Sequence, residues 1–369
     1  MSMSAKSKDL KSGLNLAKVV KPTDGEYRIS ISGGSIAIIS SDKRRYLCAF
    51  LTTRMGDGIT EDFLLPQDRS SIFEADLDDV DLSINEKGLS LKYSGGGTKK
   101  SAVIKRRSPS KKGVLGKSII IDEEEWRIES NLLDELLTVA SASALVHETK
   151  TEEDMKMNQI IFDSKNNCII SNARYYATFV FHPSIKKDIS IISADIPTIR
   201  AFCNRCKGDI LISCDNVGLC FKHQETGSYL IINKINSKQS KNPSVPDVRE
   251  SIINIQCSTA LFKDAIKWSG VTLEGTQRIS IQSENDGDSE VLKFSQSDRV
   301  LTSIPILSSG NTSFSADLPL KVLDNISCYL LDGNVVIRHG LKAFPDVVMF
   351  EQTLEDLKVQ HFVRSMRSK

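Results

Sequence analysis

Several clusters carry residue types that do chemistry. Cys203-Asn204-Arg205-Cys206 is a C-x-x-C, and Cys214, Cys220 and His223 follow closely. Thiolates and an imidazole in such a run suit zinc, although the spacing between the pairs is not that of a common zinc module. Cys203 and Cys206 also continue the series Ile196, Ile199 at helical intervals, where a thiol behaves as a small hydrophobe. No metal is therefore expected. Gly95-Gly96-Gly97 lacks the G-K-[ST] ending of a phosphate loop and reads as a hairpin tip. The run Asp122-Glu123-Glu124-Glu125 suits a cation, but solvated acidic surface is the preferred reading. The five histidines (147, 182, 223, 339, 361) form no sequence cluster, and neither a nucleophile elbow nor an H-E-x-x-H motif occurs. No catalytic residue is assigned, and no cofactor is expected.

Composition narrows the class. The chain has 369 residues, 40% hydrophobic and 26% charged, with a formal net charge of +1. That is enough chain for two or three ordinary domains. Near-neutrality means that polyanion binding requires cations segregated onto one face. No apolar run approaches the ~18 residues that span a bilayer. The start, Met1-Ser-Met-Ser-Ala-Lys6, lacks the apolar core of a signal peptide. A cytoplasmic protein with thiol cysteines is expected.

The elements that position these residues repeat. Ser193-Ala194-Asp195-Ile196-Pro197 recurs as Ser315-Ala316-Asp317-Leu318-Pro319, and Phe63-Leu64-Leu65-Pro66 is an earlier, weaker echo. A short amphipathic stretch and a strand–turn–strand pattern follow each. The pairs are Asp81–Ile84 with Leu89–Tyr93, Asp209–Ile212 with Leu219–Lys222, and Cys328–Leu331 with Val335–Arg338. The front of each unit matches too. Trp126–Glu129 precedes a helix over Leu132–Ser143 capped at Ser130 or Asn131. Ile252–Gln256 precedes a helix over Leu261–Trp268. In the first unit Lys8–Val20 supplies the helix, and the strand before it is missing or degenerate. Turn-rich or polar linkers fall at Ser108–Gly113 and Asn236–Ser244. The fold class is α+β and strand-rich, with three domains at 1–118, 119–248 and 249–369, each holding two short helices packed on antiparallel sheets.

Local segments then point to a family. Val245-Pro246-Asp247-Val248-Arg249 resembles the F-P-D-Y-R of the bacterial replicative clamp, the β subunit of DNA polymerase III. Cys168–Ala177 resembles that family's V-A-T-D-G-H-R-L-A segment, and Phe362–Arg367 resembles its closing V-V-M-P-M-R-L. The family's Gly and His are absent, Tyr175 and Tyr176 stand near its Arg and Leu, and the tail lacks its Pro. These departures mark a divergent member, for which a viral source is one reading.

The resemblance implies a head-to-tail homodimer closing a ring around double-stranded DNA, with a DNA polymerase and a clamp loader as partners and no membrane. Sequence-independent DNA contact would fall to cations on the polar faces of the helices. These are Lys8, Lys11 and Lys18, then Arg200, Arg205 and Lys207, then Lys263 and Lys267. Opposite them, Leu10, Leu14 and Ala17 form one apolar stripe, and Ile196, Ile199, Cys203 and Cys206 another. The 131–143 helix carries Asp134 and Glu135 and no cation, and the 65–75 helix has only Arg69, so the lining is uneven. Lysines on such faces are equally read as ordinary solvated surface. By position match, a partner-peptide groove would be lined by Ser171, Arg174, Tyr176, Ala177, Pro246, Val363 and Met366. The plain alternative is that Val363 and Met366 end a strand against the core. Lys99–Lys112, with seven Lys or Arg and no acid, is either a DNA-touching loop or a basic hairpin and linker.

Two other classes compete with a ring-shaped tether. One is a β-rich structural or assembly protein, such as a viral tail component. The other is a small-molecule enzyme on an α+β scaffold, for which no motif speaks.

Overall fold

The computed structural model of the chain describes residues 2–32, 35–52, 61–75, 77–105, 125–144, 159–173, 176–215, 218–233, 251, 253–272, 278–286, 289–296, 299–309, 313–341 and 344–366.

One order of elements occurs three times. The first pass is β1 (Ser2–Lys6), α1 (Ser7–Ala17), β2 (Glu26–Ser32), β3 (Ser35–Ser41), β4 (Arg45–Thr52), β5 (Glu61–Pro66), a 3₁₀ helix (Gln67–Glu74), β6 (Asp79–Asn85), β7 (Gly88–Gly95) and β8 (Thr98–Lys105). The second is β9 (Trp126–Glu129), α2 (Ser130–Ala144), β10 (Gln159–Asp163), β11 (Cys168–Ala173), β12 (Tyr176–Phe181), β13 (Ile189–Ile192), α3 (Ile196–Arg205), β14 (Asp209–Cys214), β15 (Gly218–His223) and β16 (Tyr229–Asn233). The third is β17 (Ile253–Ser258), α4 (Thr259–Thr272), β18 (Arg278–Asp286), β19 (Ser289–Gln296), β20 (Arg299–Pro305), the short β21 (Ser308–Ser309), β22 (Ser315–Pro319), α5 (Leu320–Ser327), β23 (Asn334–His339), β24 (Val347–Leu354) and β25 (Leu357–Arg364).

Pairing repeats as well. With the short β21 left out of the count, in each pass the first strand pairs with the sixth, the sixth to eighth form a meander, and the other four run in the order fifth, second, third, fourth. The start of each leading helix repeats in detail. The N–H groups of Ser7, Ser130 and Thr259 donate to the carbonyls of Asp78, Gly208 and Gly333 at 3.2, 2.8 and 2.9 Å. A helix N-terminus leaves N–H groups without intrahelical acceptors, and the residue before the sixth strand supplies one. Gly208 and Gly333 sit at φ +111° and +102°, where a side chain is disfavoured.

Strands form because apolar residues alternate. In β2, Tyr27, Ile29 and Ile31 are buried while Arg28 and Ser30 are half-exposed. The packing divides into two compact units, Met1–Asp134 with Pro197–Ile235 and Glu135–Ile196 with Asn236–Lys369. The first holds the sheets β1-β6-β7-β8 and β5-β2-β3-β4-β16-β15-β14-β9. The second holds β13-β10-β11-β12-β25-β24-β23-β17-β21 and β20-β19-β18-β22. Successive passes are thus joined by continuous sheets, through β4·β16 and through β12·β25. The core of the second unit centres on Phe262, whose ring lies 5.8 Å from Phe294 and 5.4 Å from Phe350. Each such buried ring contributes about 3 kcal/mol of transfer free energy.

Three sequence readings are corrected. A leading strand does exist in the first pass: β1 pairs with β6. Cys328–Leu331 is not a strand; it is the turn after α5, with Leu330 buried in the core, and the hairpin is β23 with β24. The 65–75 helix is a 3₁₀ segment beginning at Gln67, after β5 has taken Leu65 and Pro66.

Candidate nucleic-acid interface and partner groove

Amphipathicity positions the helix cations. On α1, Leu10, Leu14 and Ala17 are fully buried, leaving Lys8 and Lys18 exposed and Lys11 half-exposed. Lys18 pairs with Glu74 at the end of the 3₁₀ helix, and this lysine, with Lys11 beyond it, holds the Glu74 carboxyl below the usual range. On α3, Ile196, Ile199, Cys203 and Cys206 are buried as the spacing predicts. Arg200 Nε donates to Asp134 Oδ1 at 2.8 Å. Lys207 Nζ, just past α3, donates to Asn131 Oδ1 at 2.9 Å, and Arg205 Nη1 to its own helix at Ala201 O, 3.3 Å. On α4, Lys267 is exposed and Lys263 half-buried. Exposed ion pairs contribute only ~0–1 kcal/mol, so Glu74 holds Lys18 weakly; the Arg200–Asp134 pair is part-buried and more firmly held. The helices and the residues just after α1 and α3 carry ten Lys or Arg against seven Asp or Glu, a weakly cationic set.

The structure brings part of the expected groove together. Tyr176 lies opposite Val363 and Ala177 opposite Phe362 across β12·β25, and Ser171 pairs with Thr178 one strand away. Ser171, Tyr176 and Val363 are buried. Ser171 Oγ donates to the Ala140 carbonyl, and Tyr176 Oη to that of Ala142 at 3.0 Å. Those two side chains therefore fasten α2 to the sheet. Ala177 and Met366 stay half-exposed, and Met366 N–H donates to Asp317 O at 2.8 Å. Arg174 and Pro246 lie outside the described residues.

DNA polymerase III subunit beta from Pseudomonas aeruginosa superposes with a TM-score of 0.79 at 11% identity, each chain covered over 100% of its length. The sliding clamp from Bacillus subtilis gives 0.77 at 12%, and the beta subunit from Thermotoga maritima 0.73 at 12%, both with the same full coverage. The fold is the sliding-clamp fold. No protein-family model and no curated protein matches the sequence.

Two features of this clamp fold escaped the sequence reading. The first is the sheet face opposite the Tyr176 side. There Cys168, Ile170, Phe179, Met349 and Phe362 cluster, with Ala177, Phe181 and Val347 half-exposed at the margin. Apolar residues on both alternate sets of Tyr176–Phe181, read together with Leu357–Arg364, carried the signal. The second is an apolar stripe on the exposed side of α4. Leu261, Trp268 and Val271 are 42%, 59% and 77% exposed. The seven-residue step from Leu261 to Trp268 puts both on one face.

The buried side of β12·β25 holds a polar chain. Ser143 Oγ meets Thr178 Oγ1 at 2.5 Å, and Thr178 Oγ1 meets His361 Nδ1 at 2.9 Å. Burial pushes the His361 pKa down to about 3, so the ring is neutral, and its Nε2 has no partner among the described residues. The Cys203 and Cys206 thiols are pushed up to about 12 by burial, and no group of three or more potential ligands for a metal occurs among the described residues. Gly96 and Gly97 form the β7–β8 hairpin tip, both at positive φ. No helix among the described residues is long and apolar enough to cross a membrane.

Proposed function

We propose that this protein is a DNA sliding clamp: a processivity factor that closes head to tail with a second copy around duplex DNA and tethers a DNA polymerase after a clamp loader has opened it. The three passes are its domains, 1–118, 119–248 and 249–369. It performs no chemistry; its work is topological.

One observation carries this reading beyond the fold. At both joins inside the chain, the fourth strand of one pass pairs antiparallel with the eighth strand of the next: β4 with β16, β12 with β25. Applied once more, the rule pairs β20 with the eighth strand of a first pass, β8, contributed by another copy. Among the described strands, β8 is an edge of its four-stranded sheet as β20 is of its own. Unpaired edges are templates for strand addition. β20 of one copy joined to β8 of another makes a heterologous contact, which builds a ring if it closes and a filament if it does not. Val103 on β8, Val300 on β20 and the Trp268–Val271 end of α4, which packs on β20, are all exposed and supply the apolar part of that contact.

Inside the ring, Lys8, Lys11, Lys18, Arg200, Arg205, Lys207, Lys263 and Lys267 meet phosphates without reading sequence. Ala177 and Met366 border the polymerase-peptide groove at β12·β25, with Ser171, Tyr176 and Val363 as its supports and Arg174 and Pro246 as further lining.

The test is a cross-link. With exposed Cys328 replaced by Ser, Val103→Cys and Val300→Cys in one chain are bridged with a bis-maleimide. A ring gives a single covalent species of twice the chain mass. A ladder of higher masses supports the assembly-protein reading instead, and no cross-link removes the β8–β20 contact.

A further inference from the structure

We infer that the face of the β4·β16 join opposite α1 is a second docking site, for a short acidic segment of a partner protein bearing aromatic or aliphatic anchors. It goes beyond the clamp reading, whose groove lies at the other join.

The face follows from pairing. α1 packs on β3 and β4, and Gly13 of α1 approaches Leu51 closely, which fixes Leu47, Ala49 and Leu51 on the buried side. Tyr46, Cys48 and Phe50 therefore point the other way. One row of directly opposed residues crosses five strands there: Arg28, Ile39, Cys48, Tyr229, Lys222. Its centre is apolar and each end is a cation. Tyr46 stacks on Tyr229 with ring centroids 6.0 Å apart and planes 23° from parallel, and Phe50 lies 6.0 Å from the same ring. Phe50 is 36% exposed, and Tyr46, Tyr229 and Ile39 are half-exposed. Grouped aromatics rimmed by charge are characteristic of interaction surfaces.

Three features choose the occupant. β4 and β16 are interior strands of an eight-stranded sheet, so a partner cannot add a strand and must lie on side chains. Its side chains are only partly exposed, Phe50 the most at 36%, which falls short of the ~800 Å² per partner that a stable protein interface needs and suits a peptide segment, not a second copy. One flank favours an acidic ligand, because Lys222 is half-exposed there; at the other end Arg28 is held by Asp62. The other join carries its own apolar face in the corresponding place, where Ala177 opposes Phe362 across the same fourth-to-eighth pairing.

The experiment uses the full chain and a phage-displayed nonapeptide library. Selected peptides are synthesised, and their affinities measured by fluorescence anisotropy for the wild type and for Phe50→Ser, Lys222→Glu and Phe181→Ser. Expected are peptides with an acidic residue beside two apolar ones, whose Kd rises at least tenfold in both Phe50→Ser and Lys222→Glu and not in Phe181→Ser. Lys222→Glu, at a half-exposed position, decides alone if Phe50→Ser does not fold. Indifference to Lys222→Glu overturns the proposal. So does loss in Phe181→Ser alone, which puts binding at the other join, or a changed oligomeric state in Phe50→Ser, which makes the patch a contact between copies. Retention of the wild type on circular DNA, measured in parallel, reports on the clamp reading whatever the peptides do.

Discussion

Replacing Trp268 with alanine tests the contact between copies quantitatively. Trp268 is 59% exposed in the single chain. A tryptophan presents up to ~250 Å², so ~150 Å² of it awaits cover. At ~25 cal/mol per Å² its burial in a β20–β8 contact contributes ~3.7 kcal/mol, of which alanine forfeits ~3 kcal/mol, or ~150-fold in affinity. A closed dimer has two such contacts, and both break on dissociation. The dimer Kd therefore rises by roughly the square of that factor, ~10⁴-fold, whereas an open head-to-tail chain changes by the single factor. Sedimentation velocity over a dilution series reads the difference. Phe262, Ala265, Ile266 and Ser269 anchor the other side of α4, so the variant retains its fold, which its melting curve checks. A change in Kd below threefold refutes the reasoning, because it leaves Trp268 outside the contact.

Other expectations follow from single features. Lys8→Glu and Lys267→Glu each weaken retention on DNA and reduce the slope of log K against log salt by about 0.9 for each phosphate no longer neutralised; an unchanged slope makes them ordinary surface. His361, held neutral with its pKa at about 3, binds fewer protons folded than unfolded, where its pKa is ~6.5. Its contribution is complete above pH ~6.5 and is lost as pH falls from there towards 3, reaching about 1.4 kcal/mol by pH 5.5. The fall in urea stability between pH 7.5 and 5.5 is accordingly smaller in His361→Gln by that amount, and equal falls would mean that the ring is protonated when folded. Cys328 reacts with a maleimide within minutes in the native protein, while Cys203 and Cys206, buried with raised pKa, react only on unfolding. Prompt labelling of either would contradict the helix packing of α3.

Much of the architecture was legible because it is periodic. The echo of Ser193–Pro197 in Ser315–Pro319 marks the approach to the second helix in two passes, and the buried stripe of α3 is spelled out by Ile196, Ile199, Cys203 and Cys206. The missed strand β1 reads poorly because Ser2–Lys6 is short and not hydrophobic; pairing with β6 makes it a strand, and pairing partners are not local. Cys328–Leu331 misled for the opposite reason. Its apolar residues serve the end of α5 and the core, and a four-residue run does not distinguish those uses. Of the residues expected to line a groove, Ser171, Tyr176 and Val363 do lie together across β11, β12 and β25, yet strand alternation turns them inward, and Phe181, Phe362 and Met349 mark the other face. The ion pairs Lys18–Glu74 and Arg200–Asp134 link residues far apart in sequence, so helical wheels show the cations and not their neighbours.

The central claim is topological, and its most direct measurement is retention on DNA of two shapes. The protein is loaded onto a nicked circular plasmid, and half of the sample is then cut once with a restriction enzyme. Both halves are passed through a gel-filtration column in ~0.2 M salt, where contacts with the backbone alone are weak. The account predicts that the protein elutes with the circle and is lost from the linear molecule. Equal loss from both, or equal retention on both, contradicts it.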